Sequence, residues 1–309
     1  MSQPIYIIVN PHCHQGHGWK RWQLIKDEIL NRLPGTKEIV TDKKEDIESF
    51  LKTLTTQEAI VISAGGDGGV HYLVNAVLKT KIADKIIIGA IGLGSSNDFL
   101  KPFKTYIRKI PVRIDIGSPW KYQDIGKANF IDENNKPGEK YFIINSSFGA
   151  TAEGNWNFNN PGSILRWLKK YYASLAITYT GISTILSFKN KICTLNYNGE
   201  TRVLPVSNIN IIKKPFVSGS LHYQQNILPN DGQLGLNICT GMNKKELLKT
   251  MFDLEKGKFI LGEKKISTFI KYFSLLSDSP VVFECDCETE KVTRVDISIL
   301  PKAIRILKA

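Results

Sequence analysis

The chain has 309 residues, 42% hydrophobic, 10% aromatic and 23% charged, enough apolar material for a large core split between two domains, which excludes a disordered tail or a disulfide-stapled miniprotein. Forty-one Lys and Arg against 29 Asp and Glu leave a formal net charge of +12, so acidic partners come first: nucleotide phosphates, an anionic membrane or nucleic acid. The five cysteines (Cys13, Cys193, Cys239, Cys285, Cys287) are scattered without a CxxC pair and read as reduced thiols. His12-Cys13-His14 and His17 read as a solvated loop rather than a metal site. The apolar run after Pro4 has no basic segment before it and is too short for a secretory signal, so a cytoplasmic protein is expected.

In chain order, residues 5–9 form a continuous apolar run ended by Asn10-Pro11, the pattern of a buried parallel strand. Residues 19–33 repeat apolar side chains at helical spacing until Leu33-Pro34-Gly35 stops them. A second strand closes at Val40-Thr41, and Ile47, Phe50, Leu51 and Leu54 mark a second helix. A third strand over 59–63 runs into Gly65-Gly66-Asp67-Gly68-Gly69. Val70, Leu73, Val74, Val77 and Leu78 then stripe a third helix. A fourth strand over 86–91 precedes Gly92-Leu93-Gly94-Ser95-Ser96-Asn97-Asp98. This alternation predicts a doubly wound α/β domain with its site at the carboxyl ends of the strands.

Beyond about Asp115 short alternating runs dominate, at 141–145, 192–197, 206–212, 234–239, 281–287 and 292–300. They predict a β-rich, sandwich-like second domain over 117–297. The first domain then covers 1–116 and is completed by a returning tail, 298–309. Two helices are expected in the second domain, at 164–186 and 244–255. Ile164, Leu168, Tyr171, Leu175, Tyr179, Ile182 and Leu186 form one continuous face of the first, which reads as a long helix packed on the second sheet. The uncharged stretch 171–188 is too rich in Ser and Thr to span a bilayer.

The two glycine turns carry the chemistry. Glycine tolerates positive φ and close backbone approach, and the following helix start attracts anions, so the turns read as a phosphate cradle. Neither completes a Walker A loop or GxGxxG. At these residues the chain resembles the diacylglycerol kinase catalytic-domain family of lipid kinases, especially soluble bacterial members related to sphingosine kinases. Its GGDGT motif is matched by Gly65 to Gly69, its PxGTxND motif by Gly92 to Asp98, and its Asn-Pro and glycine loop by Asn10-Pro11 with Gly16 and Gly18. Asp115-Ile116-Gly117, Tyr141 to Asn145, Asn230-Asp231-Gly232 and Asp286-Cys287-Glu288 stand where the family has its DxG, FxN, DG and DGE segments. Gly69 replaces the threonine of GGDGT, and Cys287 the glycine of DGE.

The resemblance implies transfer of the ATP γ-phosphoryl group, with Mg²⁺, to a lipid hydroxyl such as that of diacylglycerol, nucleotide lying between the domains and acyl chains in a groove of the second. It implies Asp286 as base, with Glu288 and Asp67 completing the catalytic carboxylates. Asn10, Thr41, Gly65, Gly66, Asp67, Gly68, Gly69, Ser95, Asn97 and Asp98 would contact nucleotide. A second-domain metal would take Asp231, with carbonyls of Leu228 and Gln233. The alternatives are an NAD kinase-like enzyme acting on a soluble substrate and a non-catalytic lipid- or nucleotide-binding regulator. The dispersed basic clusters, Arg166 to Lys170 among them, suit peripheral docking on an anionic membrane. No nucleic-acid-binding motif is present, and exposed strand edges would permit a homodimer.

Overall fold

The computed structural model describes residues 3–54 and 56–308. The chain is mixed α/β with a β-rich C-terminal region, and it divides into two compact units, Met1–Asp124 with Pro301–Ala309, and Ile125–Leu300.

In the first unit β1 (Ile5–Val9), α1 (His17–Arg32), β2 (Lys37–Val40), α2 (Lys44–Lys52), β3 (Ala59–Gly65), α3 (Asp67–Lys79) and β4 (Ile86–Gly92) alternate, followed by the short β5 (Tyr106–Ile107) and β6 (Ile110–Arg113). Strands β2, β1, β3 and β4 lie side by side and parallel. Every residue of β1, β3 and β4 is buried, which is why these segments read as unbroken apolar runs. Ile5, Ile7 and Val9 join Trp22, Ile25 and Ile29 of α1 in one cluster. Tyr6, on the opposite face of the sheet, meets Phe50 of α2 with ring centroids 5.0 Å apart. Helices therefore cover both faces, and the three strand-to-loop exits at Asn10, Gly65 and Gly92 fall at the same carboxyl edge of the sheet.

The second unit contains most of β7 (Lys121–Asp132), then β8 (Pro137–Phe142), β9 (Asn145–Gly149), α4 (Ala150–Asn159), α5 (Ser163–Tyr171), α6 (Ala173–Ser187), β10 (Lys191–Tyr197), β11 (Glu200–Ile212), the two-residue strands β12 (Phe216–Val217) and β13 (Leu221–His222), β14 (Leu234–Thr240), α7 (Lys244–Glu255), β15 (Lys265–Ile270), β16 (Tyr272–Cys285) and most of β17 (Glu288–Ile306), whose end belongs to the first unit. Its main pairings are antiparallel. Strands β11 and β16 each pair with β10 along one stretch and with β9 along another. Phe148, Phe273 and Phe283 stack at the centre of the core. Helix α7 opens on a reciprocal cap: Asn243 Oδ1 accepts the Glu246 N–H at 3.0 Å, and Glu246 Oε2 accepts the Asn243 N–H at 2.8 Å.

The expected single helix over 164–186 is two helices, because Tyr172 leaves helical geometry at φ −141°, ψ 70°. Its expected inward face points outward: Ile164, Tyr171, Leu175, Tyr179 and Leu186 are exposed, whereas Leu165, Ala176, Thr180, Thr184 and Ile185 are buried. Among the described residues no helix is long and apolar enough to cross a membrane. In urea unfolding, Leu175→Ser and Tyr179→Ser should each move stability by less than about 0.5 kcal/mol. Thr180→Leu, on the buried face, should cost about 1–3 kcal/mol by overpacking.

Candidate active site

The two glycine turns touch through their backbones. The Gly65 carbonyl accepts the N–H groups of Leu93 at 2.8 Å and Gly94 at 3.2 Å. A Cβ added at Gly94 would stand 2.5 Å from the Gly66 Cα, which no side chain permits. Gly66 is the N-cap of α3, so the first turn of that helix consists of Asp67, Gly68 and Gly69; the Gly69 N–H turns back to the Gly66 carbonyl at 3.0 Å, and the positive helix end beside two residues without side chains suits an approaching anion. At Gly69, where the family has threonine, a Cβ would stand 3.0 Å from the Ser63 hydroxyl oxygen; Ser63 fills the space behind the turn.

The second turn is folded onto itself by Asn97, which adopts left-handed φ of 51°. Asn97 Oδ1 accepts the Gly94 N–H at 3.1 Å, and its amide donates to the carbonyls of Gly94 at 3.0 Å and Gly92 at 3.3 Å. The buried Asp67 accepts the Phe99 N–H at 2.9 Å, tying the first turn to the end of the second. Asp98 pairs with Lys101 at 2.6 Å. Asn10 and Thr41 end β1 and β2. Asn10 Oδ1 accepts the His12 N–H at 3.0 Å, and the Thr41 hydroxyl lies 3.3 Å from the Val9 carbonyl. Ser95 Oγ is 2.7 Å from His14 Nδ1.

Arg21 escaped the sequence reading. From α1 it donates through Nη1 to the carbonyls of Gly94 at 2.8 Å and Leu93 at 3.0 Å, and Nη2 lies 3.4 Å from that of Gly92. Carbonyls that would otherwise crowd an anion are thereby turned toward a guanidinium.

In the second unit Asp286 is buried, and three backbone N–H groups donate to its carboxylate. Oδ1 accepts the N–H groups of Ile144 at 2.9 Å and Asn145 at 3.1 Å, and Oδ2 accepts that of Ile143 at 2.9 Å. The bend between β8 and β9 that frees these donors is therefore closed by Asp286. Asp286 and Cys287 are both left-handed, at φ 47° and 75°, so the residue in the family's glycine position is a cysteine held in a conformation glycine adopts without strain. Glu288 starts β17 opposite Cys285 and is partly buried.

Two residues before Asp286 lies Glu284, which the sequence reading also missed; its place on the same strand face was the available signal. It is fully buried and accepts from Ser147 Oγ at 2.6 Å, Asn145 Nδ2 at 3.0 Å and the Cys287 N–H at 2.5 Å. Burial, reinforced by the charge of Asp286, pushes its carboxyl up to about 7.

The residues assigned to a second-domain metal also come together. Asp231 Oδ2 accepts the Leu228 N–H at 3.0 Å and Oδ1 the Gln233 N–H at 3.1 Å. The Lys213 ammonium sits 2.7 Å from Asp231 Oδ1 and 2.8 Å from the Gln233 carbonyl. Among the described residues no cluster of three or more His, Cys, Asp or Glu side chains could hold a metal ion.

Residues 4–116 match the family model of the diacylglycerol kinase catalytic domain. Over those residues the first unit is similar to that family. A Staphylococcus aureus strain MSSA476 protein carrying the name "putative lipid kinase" is 23% identical over 278 residues, 87% of this chain and 85% of the relative. Among solved structures, a "putative diacylglycerol kinase" from Bacillus anthracis superposes with a TM-score of 0.70 at 16% identity, covering 99% of this chain and 97% of that one. Yeast NADH kinase superposes with a TM-score of 0.51 at 8% identity, covering 100% of this chain and 84% of that one. At such identities the structural likenesses speak to fold alone.

Gly94→Ala should cost at least about 2 kcal/mol in thermal or urea unfolding, because backbone must shift. Gly68→Ala meets open space in the first turn of α3 and should leave stability unchanged or raised by up to about 1 kcal/mol, while weakening ATP binding in a calorimetric titration about tenfold or more by blocking the anion's approach. Glu284 generates a pH dependence. Between its ordinary value of 4.5 and about 7 it is protonated in the folded chain and ionised in the unfolded one, so its contribution falls as pH rises through that window and is flat above it. Relative to Glu284→Gln, the wild type should lose on the order of 3 kcal/mol between the two ends of the window in urea melts.

Proposed function

We propose that this phosphotransferase transfers the γ-phosphoryl group of ATP to the hydroxyl of a membrane lipid, diacylglycerol or one like it. The observation that carries the reading is the interlocked pair of glycine turns at the carboxyl ends of β3 and β4, in a unit similar to a lipid-kinase family. Nucleotide phosphates lie against the N–H groups of the first turn of α3, with Asn10, Thr41 and Ser95 at the rim. Arg21 and Asn97 hold the second turn in shape. The buried Asp67 and Asp98 are hard oxygen donors of the kind Mg²⁺ accepts beside phosphates, so the metal fits there, where it would neutralise phosphate charge.

In this reading Asp286 takes the proton of the acceptor hydroxyl as its oxygen attacks the γ-phosphorus and the bond to ADP breaks. The three N–H groups on its carboxylate fix the direction of its oxygens. They also give Asp286 a structural duty. Loss of activity in Asp286→Asn therefore identifies a base only if the variant melts like wild type.

The outward face of α5 and α6 supports a membrane-surface substrate. Ile164, Trp167, Tyr171, Tyr172 and Leu175 are each more than half exposed, beside Arg166 and Lys170. Aromatic rings and cations together suit the headgroup layer of an anionic bilayer, where each cation contributes about 1 kcal/mol. The fold shared with NADH kinase favours a second reading, a soluble nucleotide acceptor.

One assay tests these readings together. The protein, Mg²⁺ and γ-labelled ATP are incubated with diacylglycerol in phosphatidylglycerol or phosphatidylcholine vesicles, or with NAD. Labelled lipid, formed faster on the anionic vesicles and slowed severalfold by Trp167→Ser or by salt, is expected. Label in NAD would install the second reading. Label in no acceptor, across sphingoid and monoacyl lipids as well, would leave the protein a non-catalytic binder.

A further inference from the structure

The turn at Asp231 already holds a cation. Lys213 follows the last residue of β11, and its side chain is 0% exposed. Its backbone N–H donates to the Ile144 carbonyl at 2.8 Å, which fixes the root of the side chain. Its ammonium lies on Asp231 Oδ1 at 2.7 Å and on the Gln233 carbonyl at 2.8 Å. These are two of the three oxygens that a second-domain metal would use, the third being the Leu228 carbonyl. A divalent cation of the Mg²⁺ or Ca²⁺ type binds such oxygens at about 2.0–2.6 Å, so on this pair it would compete for the ground the ammonium occupies. It would also face a fixed positive charge that burial prevents from swinging into water.

The remaining donors point the same way. Asp231 Oδ2 receives the Leu228 N–H, and Oδ1 also receives the Gln233 N–H. In this loop Leu228 thus meets Asp231 as a donor through its N–H. A carboxylate with an ammonium at contact distance has its counter-ion.

We propose that Lys213 is the resident cation of the Asp231 turn, replacing the divalent metal implied by the resemblance, and that the second unit binds no divalent ion there. The ammonium does the mechanical work of such an ion: it fastens the end of β11 to the turn that precedes β14. Unlike an ion, it cannot be lost to a chelator or varied with supply. The inference is independent of the acceptor lipid and of whether the enzyme turns over.

The test uses nucleotide-free, EDTA-stripped full-length protein and Mn²⁺ alone. Equilibrium dialysis should find the same Mn²⁺ bound per chain in wild type and Asp231→Asn, and the shift in melting temperature on adding Mn²⁺ should be the same in both. Any Mn²⁺ bound near Asp67 cancels in that comparison. In EDTA, Lys213→Met should melt on the order of 10 °C below wild type, because a largely shielded carboxylate loses its fully buried partner. One further equivalent of Mn²⁺ in wild type over Asp231→Asn would overturn the proposal, as would a Lys213→Met protein that melts like wild type. If Lys213→Met does not fold, the dialysis still decides.

Discussion

The first unit is organised around a contact in which no side chain takes part. Gly66 and Gly94 meet backbone to backbone, and the Gly65 carbonyl receives both N–H groups of the opposing turn. Everything near the candidate nucleotide site follows from keeping that contact closed. Asn97 folds the second turn so that Gly94 is presented, Arg21 draws its carbonyls aside, and Asp67 ties the far end back to α3. A phosphate cradle of the kind proposed, made of backbone donors, would have no charge of its own to aim, so the precision of the candidate site is the precision of this packing. It also gives the glycines separable duties: steric at Gly66 and Gly94, open space at Gly68.

The second unit solves a related problem with carboxylates. A chain that bends between two strands leaves N–H groups without ladder partners, and buried donors of that kind are costly. At residues 143–145 the donors are met by Asp286, while Glu284 ties Ser147 and Asn145 to the same turn. The acidic residues that draw notice as chemistry are thus also the fasteners of the bend. At Asp231 the same logic ends in a lysine.

Much of the first unit was legible because its strands are buried on both faces and its turns are punctuated by glycine, so the runs at 5–9, 59–63 and 86–91 appear with little ambiguity. The interlock of the two turns was not, since no motif states that Gly66 and Gly94 lie in contact. In the second unit, α4 has only Ala152 fully buried and leaves almost no stripe to read. Periodicity in 164–186 revealed a face, but a face of Tyr, Leu and Ile does not declare whether it looks to a sheet or to solvent; exposure settled that against packing. The partners of Asp286 stand 141 to 143 residues away in sequence, and that of Lys213 stands 18 away across an intervening hairpin. Such pairs exist only once the chain has folded.

Strand β17 has a further consequence. Its last residues, Arg305 and Ile306, pair in parallel with Ile87 and Ile88 of β4, and Arg305 bonds to Glu58, 247 residues earlier. β6 pairs with that edge of β4 at Ala90 and Ile91, but its stretch at Ile87 and Ile88 waits, during synthesis, for a segment made more than two hundred residues later. An unpaired edge in a parallel sheet invites pairing with another chain, and contacts so distant in sequence form slowly. The nascent first unit therefore passes through a long interval in which its glycine turns can be assembled but its sheet is unfinished, a period in which a chaperone would have its greatest effect on yield.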